Sequence, residues 1–233
     1  MSETLPVVLI PGLLASARLY GAQIPELWRR GPVTVADHTR EDSMGALARA
    51  ILASAAPRFA LAGLSMGGYV CFEILRQAPA RVAKLALLDT SARADTPEAS
   101  ATRRAQMAQA SAGQLAEVAE AQFERIVHPA HRHDPQLRET NRLMAAEVGP
   151  EAFLRQQTAI MGRPDSRPTL AAIDCPTLVL VGEQDELTPP ERAAEMAHGI
   201  RGARLLSVPE CGHLSTLEQP RAVTRALLAW LAG

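Results

Sequence analysis

Gly63-Leu64-Ser65-Met66-Gly67-Gly68 lies between the apolar run Arg58–Ala62 and a helical pattern that continues through Val70, Ile74 and Leu75. The stretch has the form G-x-S-x-G, in which a strand passes straight into a helix. Such a turn strains its central residue, and side chains two positions to either side of it collide. Gly63 and Gly67 remove those side chains. Ser65 is then held at the carboxyl end of a strand and the amino end of a helix, whose dipole and free N–H groups favour developing negative charge. A glycine-rich turn with no chemistry would read the same way locally, so the rest of the chain must supply the partners.

Working outward, short apolar runs alternate with longer helical patterns, the signature of strand–helix units that feed a parallel sheet. The predicted strands are Leu5–Ile10, Val33–Ala36, Arg58–Ala62, Ala83–Leu88, Thr177–Val181 and Arg204–Val208. Helices are predicted near Arg18–Arg29, Ser43–Ala55, Met66–Ala78, Pro190–Ala197 and Pro220–Leu231, the last two opened by prolines. The interval between Leu88 and Thr177 holds no convincing strand. Leu115, Val118, Phe123 and Ile126 recur in it at helical spacing, as do Leu137, Met144 and Val148, then Phe153, Leu154, Ile160 and Met161. A plain connection of that length is improbable in a compact domain. The expected organisation is a core of 1–92 and 168–233 with a helical cap over 93–167, and the fold class is α/β, a doubly wound six-stranded parallel sheet.

A serine hydroxyl is a poor nucleophile until a base takes its proton, and a carboxylate must fix that base's tautomer. The acid and the histidine are sought downstream in that order. Gly182-Glu183-Gln184-Asp185 follows the strand Thr177–Val181, and Pro209-Glu210-Cys211-Gly212-His213 follows Arg204–Val208. Both lie just past a strand's carboxyl end, where ligands of open parallel sheets bind. Of six histidines, only His213 sits in a loop directly after a late strand. Asp185 is the expected acid, with Asp89, at the end of the strand before the insertion, as the alternative. Two N–H donors are needed for an oxyanion, and the candidates are the amides of Met66 and of Leu13 in Ile10-Pro11-Gly12-Leu13-Leu14.

Composition narrows the partners. Across 233 residues, 24 Lys plus Arg face 25 Asp plus Glu, so the chain has no basic field for nucleic acid. Its 47% hydrophobic content contains only 3% aromatic residues, which suits helices packed on a sheet. Cys71, Cys175 and Cys211 are far apart, without metal or redox spacing, and imply reduced thiols in a cytoplasm. The run Val7–Ile10 is broken by Pro11-Gly12 and preceded by Glu3, so it is predicted as a strand rather than part of a signal peptide. No stretch approaches the length of a membrane span. His128, His131 and His133 raise the question of a metal, but no acidic partner stands at a catalytic ligand spacing, and no cofactor is called for.

With these residues placed, the chain resembles the α/β-hydrolase superfamily over almost its whole length, in particular short bacterial serine hydrolases. The matching features are Pro11-Gly12-Leu13-Leu14, the helix start near Asp42, Gly63–Gly68, Gly182-x-x-Asp185 and Gly212-His213. Pro11 departs from the His found there in many relatives, and the family's first two strands have no counterpart before Leu5. The resemblance implies a strand order of 2-1-3-4-5-6 and an acyl-enzyme mechanism on Ser65, Asp185 and His213. Carboxylic esters are the expected substrates, with lactones, thioesters, carbon–carbon bonds or peroxide as alternatives, or ligand binding without turnover. Ten Arg balance ten Asp plus Glu between Arg93 and Arg167, so the expected substrate is a small to medium uncharged ester. An apolar pocket under the cap is expected to involve Leu14, Met144, Phe153 and Met161.

Overall fold

Each predicted run forms a strand: Val7–Ile10, Phe59–Leu64 and Thr177–Gly182 are buried on both faces and can satisfy their backbone only within a sheet, while Val33–Val35 and Arg204–Val208 form its more exposed edges. The computed structural model describes residues 5–233, so the first four residues of the expected core segment lie outside the description. In chain order the elements begin with β1 (Val7–Ile10), α1 (Ile24–Trp28), β2 (Val33–Val35), α2 (Met44–Ser54), β3 (Phe59–Leu64) and α3 (Met66–Gln77). They continue with β4 (Val82–Leu88), α4 (Pro97–Ser111), α5 (Leu115–Ile126), α6 (Pro135–Met161), β5 (Thr177–Gly182), α7 (Pro190–Gly199), β6 (Arg204–Val208), α8 (Ser215–Glu218) and α9 (Pro220–Ala232).

The sheet runs β2-β1-β3-β4-β5-β6, and every neighbouring pair is parallel. This is the predicted order. Alternate side chains divide between two apolar layers. Val8, Ile10, Leu61, Leu85 and Val179 pack with α2, α3 and α7, while Val7, Leu9, Ala60, Leu88 and Leu180 pack with α1 and α9. A slip of one residue in any strand would exchange the two sets, so the register is strongly specified. Leu47, Val70 and Leu227 are almost wholly excluded from solvent, each contributing about 1.5–3 kcal/mol by burial.

The structure corrects the helix expected over Arg18–Arg29. A single 3-10 turn at Ala17–Tyr20 ends at Gly21, and Pro25 opens the short α1 in its first turn. Two breaks in a dozen residues leave no room for a continuous ladder. Helices α4, α5 and α6 fill the interval between β4 and β5. They share a separate apolar cluster that includes Ala110, Val118, Ala145, Val148 and Phe153. Helix α6 is kinked at Gly149, whose φ is 74°, followed by Pro150, which has no N–H to donate.

Candidate active site

The residues expected to carry chemistry all lie at the carboxyl edge of the sheet. Ser65 joins β3 to α3 with φ 54° and ψ −115°, a backbone region that costs a side chain about 1–3 kcal/mol. The surroundings over-determine this conformation. Its N–H donates to Leu88 O at 3.0 Å, and its carbonyl accepts from the Thr90 hydroxyl at 2.7 Å. A Cβ on Gly63 would overlap the Gly67 backbone, and one on Gly67 would overlap the Ile10 carbonyl. The elbow therefore needs glycine at both positions for space rather than for backbone freedom.

His213 and Asp185 come from the loops after β6 and β5. The His213 Nδ1 lies 2.7 Å from Asp185 Oδ2, and both side chains are buried. An ionised carboxylate can only accept, so Nδ1 carries the proton and Nε2 presents a lone pair. Nε2 has no hydrogen-bond partner among the described residues, although it is buried. The Asp185 carboxylate is itself held in place: Oδ1 accepts from the amides of Leu187 and Thr188 at 2.9 Å, and Oδ2 accepts from the Thr188 hydroxyl at 2.7 Å. Burial opposes the charge on each partner, but their mutual attraction outweighs it. Asp185 is held below the usual carboxylate range and His213 above the usual imidazole range.

Asp89, the alternative acid, is engaged elsewhere. Its Oδ1 accepts from the Gly182 amide at 2.9 Å, and its Oδ2 hydrogen-bonds the Ser215 hydroxyl. Burial, reinforced by the charge of Asp185, pushes its carboxyl well up. Two neighbouring acids are thus driven in opposite directions, and only Asp185 contacts the imidazole. Burial also pushes the thiols of Cys71 and Cys211 up, so neither is activated as a thiolate.

The loop after β1 lies directly against the elbow: a Cβ on Gly12 would stand 3.3 Å from Ser65 Cβ. Two buried side chains that were not picked out from the sequence hold this loop. His38 Nε2 hydrogen-bonds the Gly12 carbonyl at 2.8 Å, and Gln156 Oε1 accepts from the Leu14 amide at 3.1 Å. The amides of Leu13 and Met66 donate to no protein acceptor among the described residues. A third missed residue is Glu218, whose buried carboxylate accepts from the amides of Gly212, Leu214 and His128. It also pairs with His131 Nδ1 at 3.2 Å, so this histidine of the inserted segment has a structural partner. Of these three, only His38 had a sequence cue, its place just beyond a strand.

Ser65 and His213 share a cavity of about 370 Å³ with Leu13, Leu64 and Ile160. The expected lining of Leu14, Met144, Phe153 and Met161 is not found: none of the four borders this cavity. Leu14 and Phe153 are buried in the cluster of inserted helices, and Met144 packs in the layer with α9. Much of the wall is apolar, as expected, with Leu13, Leu19, Leu64, Ile160 and Leu214 among its side chains. It also carries charge that was not expected: Arg93, Arg103, Arg125, Arg163 and Arg192 line it, and Asp95 is the single acid among the described residues that does so. The equal charge count of the segment misleads because the acids are placed away from the cavity.

Residues 42–220 match the family described as alpha/beta hydrolase fold. Among solved structures, a thermophilic esterase from Thermogutta terrifontis, with malate bound, superposes with a TM-score of 0.90 and 33% identity. That comparison covers 98% of this chain and 89% of the esterase. A pimeloyl-[acyl-carrier protein] methyl ester esterase from Nitrosomonas europaea is 24% identical over 77% of this chain and 73% of its own length. BpoC of Mycobacterium tuberculosis, which carries the name of a non-heme bromoperoxidase, is 34% identical over 80 residues. This last match spans 34% of this chain and only 30% of that protein.

Proposed function

Since the chain belongs to the α/β-hydrolase family, we propose that it hydrolyses carboxylic esters through an acyl-enzyme formed on Ser65. The observation that carries this reading is the His213–Asp185 pair, with an unpartnered Nε2 in the cavity that Ser65 borders. The esterase from Thermogutta terrifontis supports it as a relative, without fixing the substrate.

Ser65 Oγ attacks the ester carbonyl carbon as its proton passes to His213 Nε2. The amides of Leu13 and Met66, free of protein acceptors among the described residues, receive the oxyanion. Collapse of the tetrahedral intermediate expels the alcohol, which takes the proton from His213. Water then attacks the acyl carbon and gives its proton to Nε2, and departure of the acid returns that proton to Ser65. Asp185 keeps the imidazole in the accepting tautomer and stabilises its positive charge, and no cofactor enters the cycle. In this reading residues 93–167 act as a cap that walls the site.

The test is covalent labelling by a fluorophosphonate. Wild type should be modified at Ser65 and Ser65→Ala should not. Folded wild-type protein that resists labelling would move the assignment to ligand binding without turnover.

A further inference from the structure

The charge on the cavity wall is not self-compensated. Arg93 is paired bidentately with Glu195 at 2.8 and 3.0 Å. Asp95 is shared by Arg103 at 3.2 Å and Arg163 at 2.8 Å, and Arg163 also lies 4.2 Å over the Tyr69 ring. Arg125 and Arg192 remain, with no acidic partner in an ion pair among the described residues. One acid against two guanidiniums, together with two unpaired ones, leaves a surplus of positive charge.

The two unpaired residues are attached to the elements that hold the base. Arg125 precedes Ile126, whose carbonyl accepts from the His213 amide at 2.7 Å. Arg192 lies in the first turn of α7, just past Thr188, whose hydroxyl is 3.3 Å from His213 Nδ1. Both therefore face the cavity from the side of the general base. Arg192 is half-buried and Arg125 stands at the exposed rim of the cavity. A guanidinium offers a planar fork of donors that matches a carboxylate, and partial enclosure strengthens the attraction at Arg192.

Resting on the reading of Ser65 as nucleophile, we infer that the natural substrate is an ester bearing a carboxylate, held by Arg125 and Arg192. This replaces the uncharged ester expected from the charge count. Half-esters of short dicarboxylic acids fit the class: the ester carbonyl reaches Ser65 while the far carboxylate meets the arginines.

The test compares monomethyl glutarate with its neutral isostere, methyl 4-carbamoylbutanoate, and extends the pair to the succinate and adipate homologues. Wild type should favour the anion in kcat/KM by about tenfold or more, the scale of one charge-assisted hydrogen bond. That preference should shrink with added salt. In Arg125→Gln/Arg192→Gln the ratio of anionic to neutral turnover should fall by about tenfold, and in each single variant by less. Arg104→Gln, an exposed arginine outside the cavity, should leave the ratio unchanged. Equal turnover of both esters, faster turnover of the amide, or an equal loss of both in the double variant would overturn the inference. Titration calorimetry with glutarate gives a second reading: weaker binding by the double variant supports the inference, and equal or absent binding in wild type refutes it. Absence of Ser65 labelling would instead strike at the hydrolase mechanism, so the two failures are distinguishable.

Discussion

Replacing Asp185 with Asn changes one atom of a carboxylate whose contacts are all assigned. Oδ1 accepts from two backbone amides, those of Leu187 and Thr188, both at 2.9 Å. An Asn side chain keeps those bonds only if its carbonyl oxygen occupies that position. Its NH2 must then point at His213 Nδ1, which becomes an acceptor and leaves the ring proton on Nε2. The base can no longer take a proton from Ser65. Reversal of a triad histidine in this way lowers kcat by roughly ten-thousandfold, or about 5.5 kcal/mol of activation free energy. Asp89→Asn should behave differently. Burial already pushes that carboxyl towards its neutral form, and an amide can still accept from Gly182 and donate to Ser215. Its loss should stay within about tenfold. Both variants would be assayed as kcat/KM on 4-nitrophenyl acetate, with thermal melts to confirm folding. If folded Asp185→Asn lost less than about tenfold, or Asp89→Asn lost more than Asp185→Asn, the assignment of the acid would be wrong.

Other perturbations reach different parts of the argument. His213 acts as a base only when neutral, so activity is present above its pKa and lost as pH falls through it. Because Asp185 holds that pKa up, the acid limb should have its midpoint above about 6.5, and a lower midpoint in a pH–rate profile would contradict the pairing. Glu218→Gln turns an NH2 towards amides that now donate to a carboxylate, costing about 2 kcal/mol in thermal or denaturant unfolding. It should also lower kcat more than it raises KM, because it disturbs the His213 loop. Phe153→Ala empties a position with no exposed surface and should destabilise by about 3–5 kcal/mol while sparing KM for small esters, since Phe153 does not border the cavity. Ser65→Gly should melt above Ser65→Ala, as only glycine accepts φ 54° without strain.

Strands and triad candidates were legible because the rules that place them are local. Parallel strands read as continuous apolar runs, and residues just past their ends fall on one edge of the sheet. Helix α4 escaped because its inner face is polar: Thr102, Arg103 and Gln106 line the cavity, and Ala110 is its only fully buried residue. Apolar periodicity found the helices of the insertion that pack on each other, and so directed attention to Phe153 and Met144, away from the cavity. Arg125 and Arg192 could not be distinguished in sequence from the other arginines, since pairing in space decides which of them are free. His38, Gln156 and Glu218 are single polar residues without a pattern, and their importance is visible only in burial and in the amides that they meet.

The carboxylate of Glu218 has a mechanical consequence. It grips amides on both sides of His213 and the amide of His128, and the His213 amide itself donates to Ile126 O. The end of α5 and the loop carrying the imidazole are thus bolted at four points. The inserted helices cannot lift away at this corner without dragging the imidazole off Asp185, so a widening that preserves reactivity must occur elsewhere in the insertion, whose one internal break in helical geometry is the α6 kink at Gly149. Hydrogen exchange should register this as a shared clock: the amides of His128, Gly212, His213 and Leu214 should open together and slowly, while those flanking Gly149 exchange sooner.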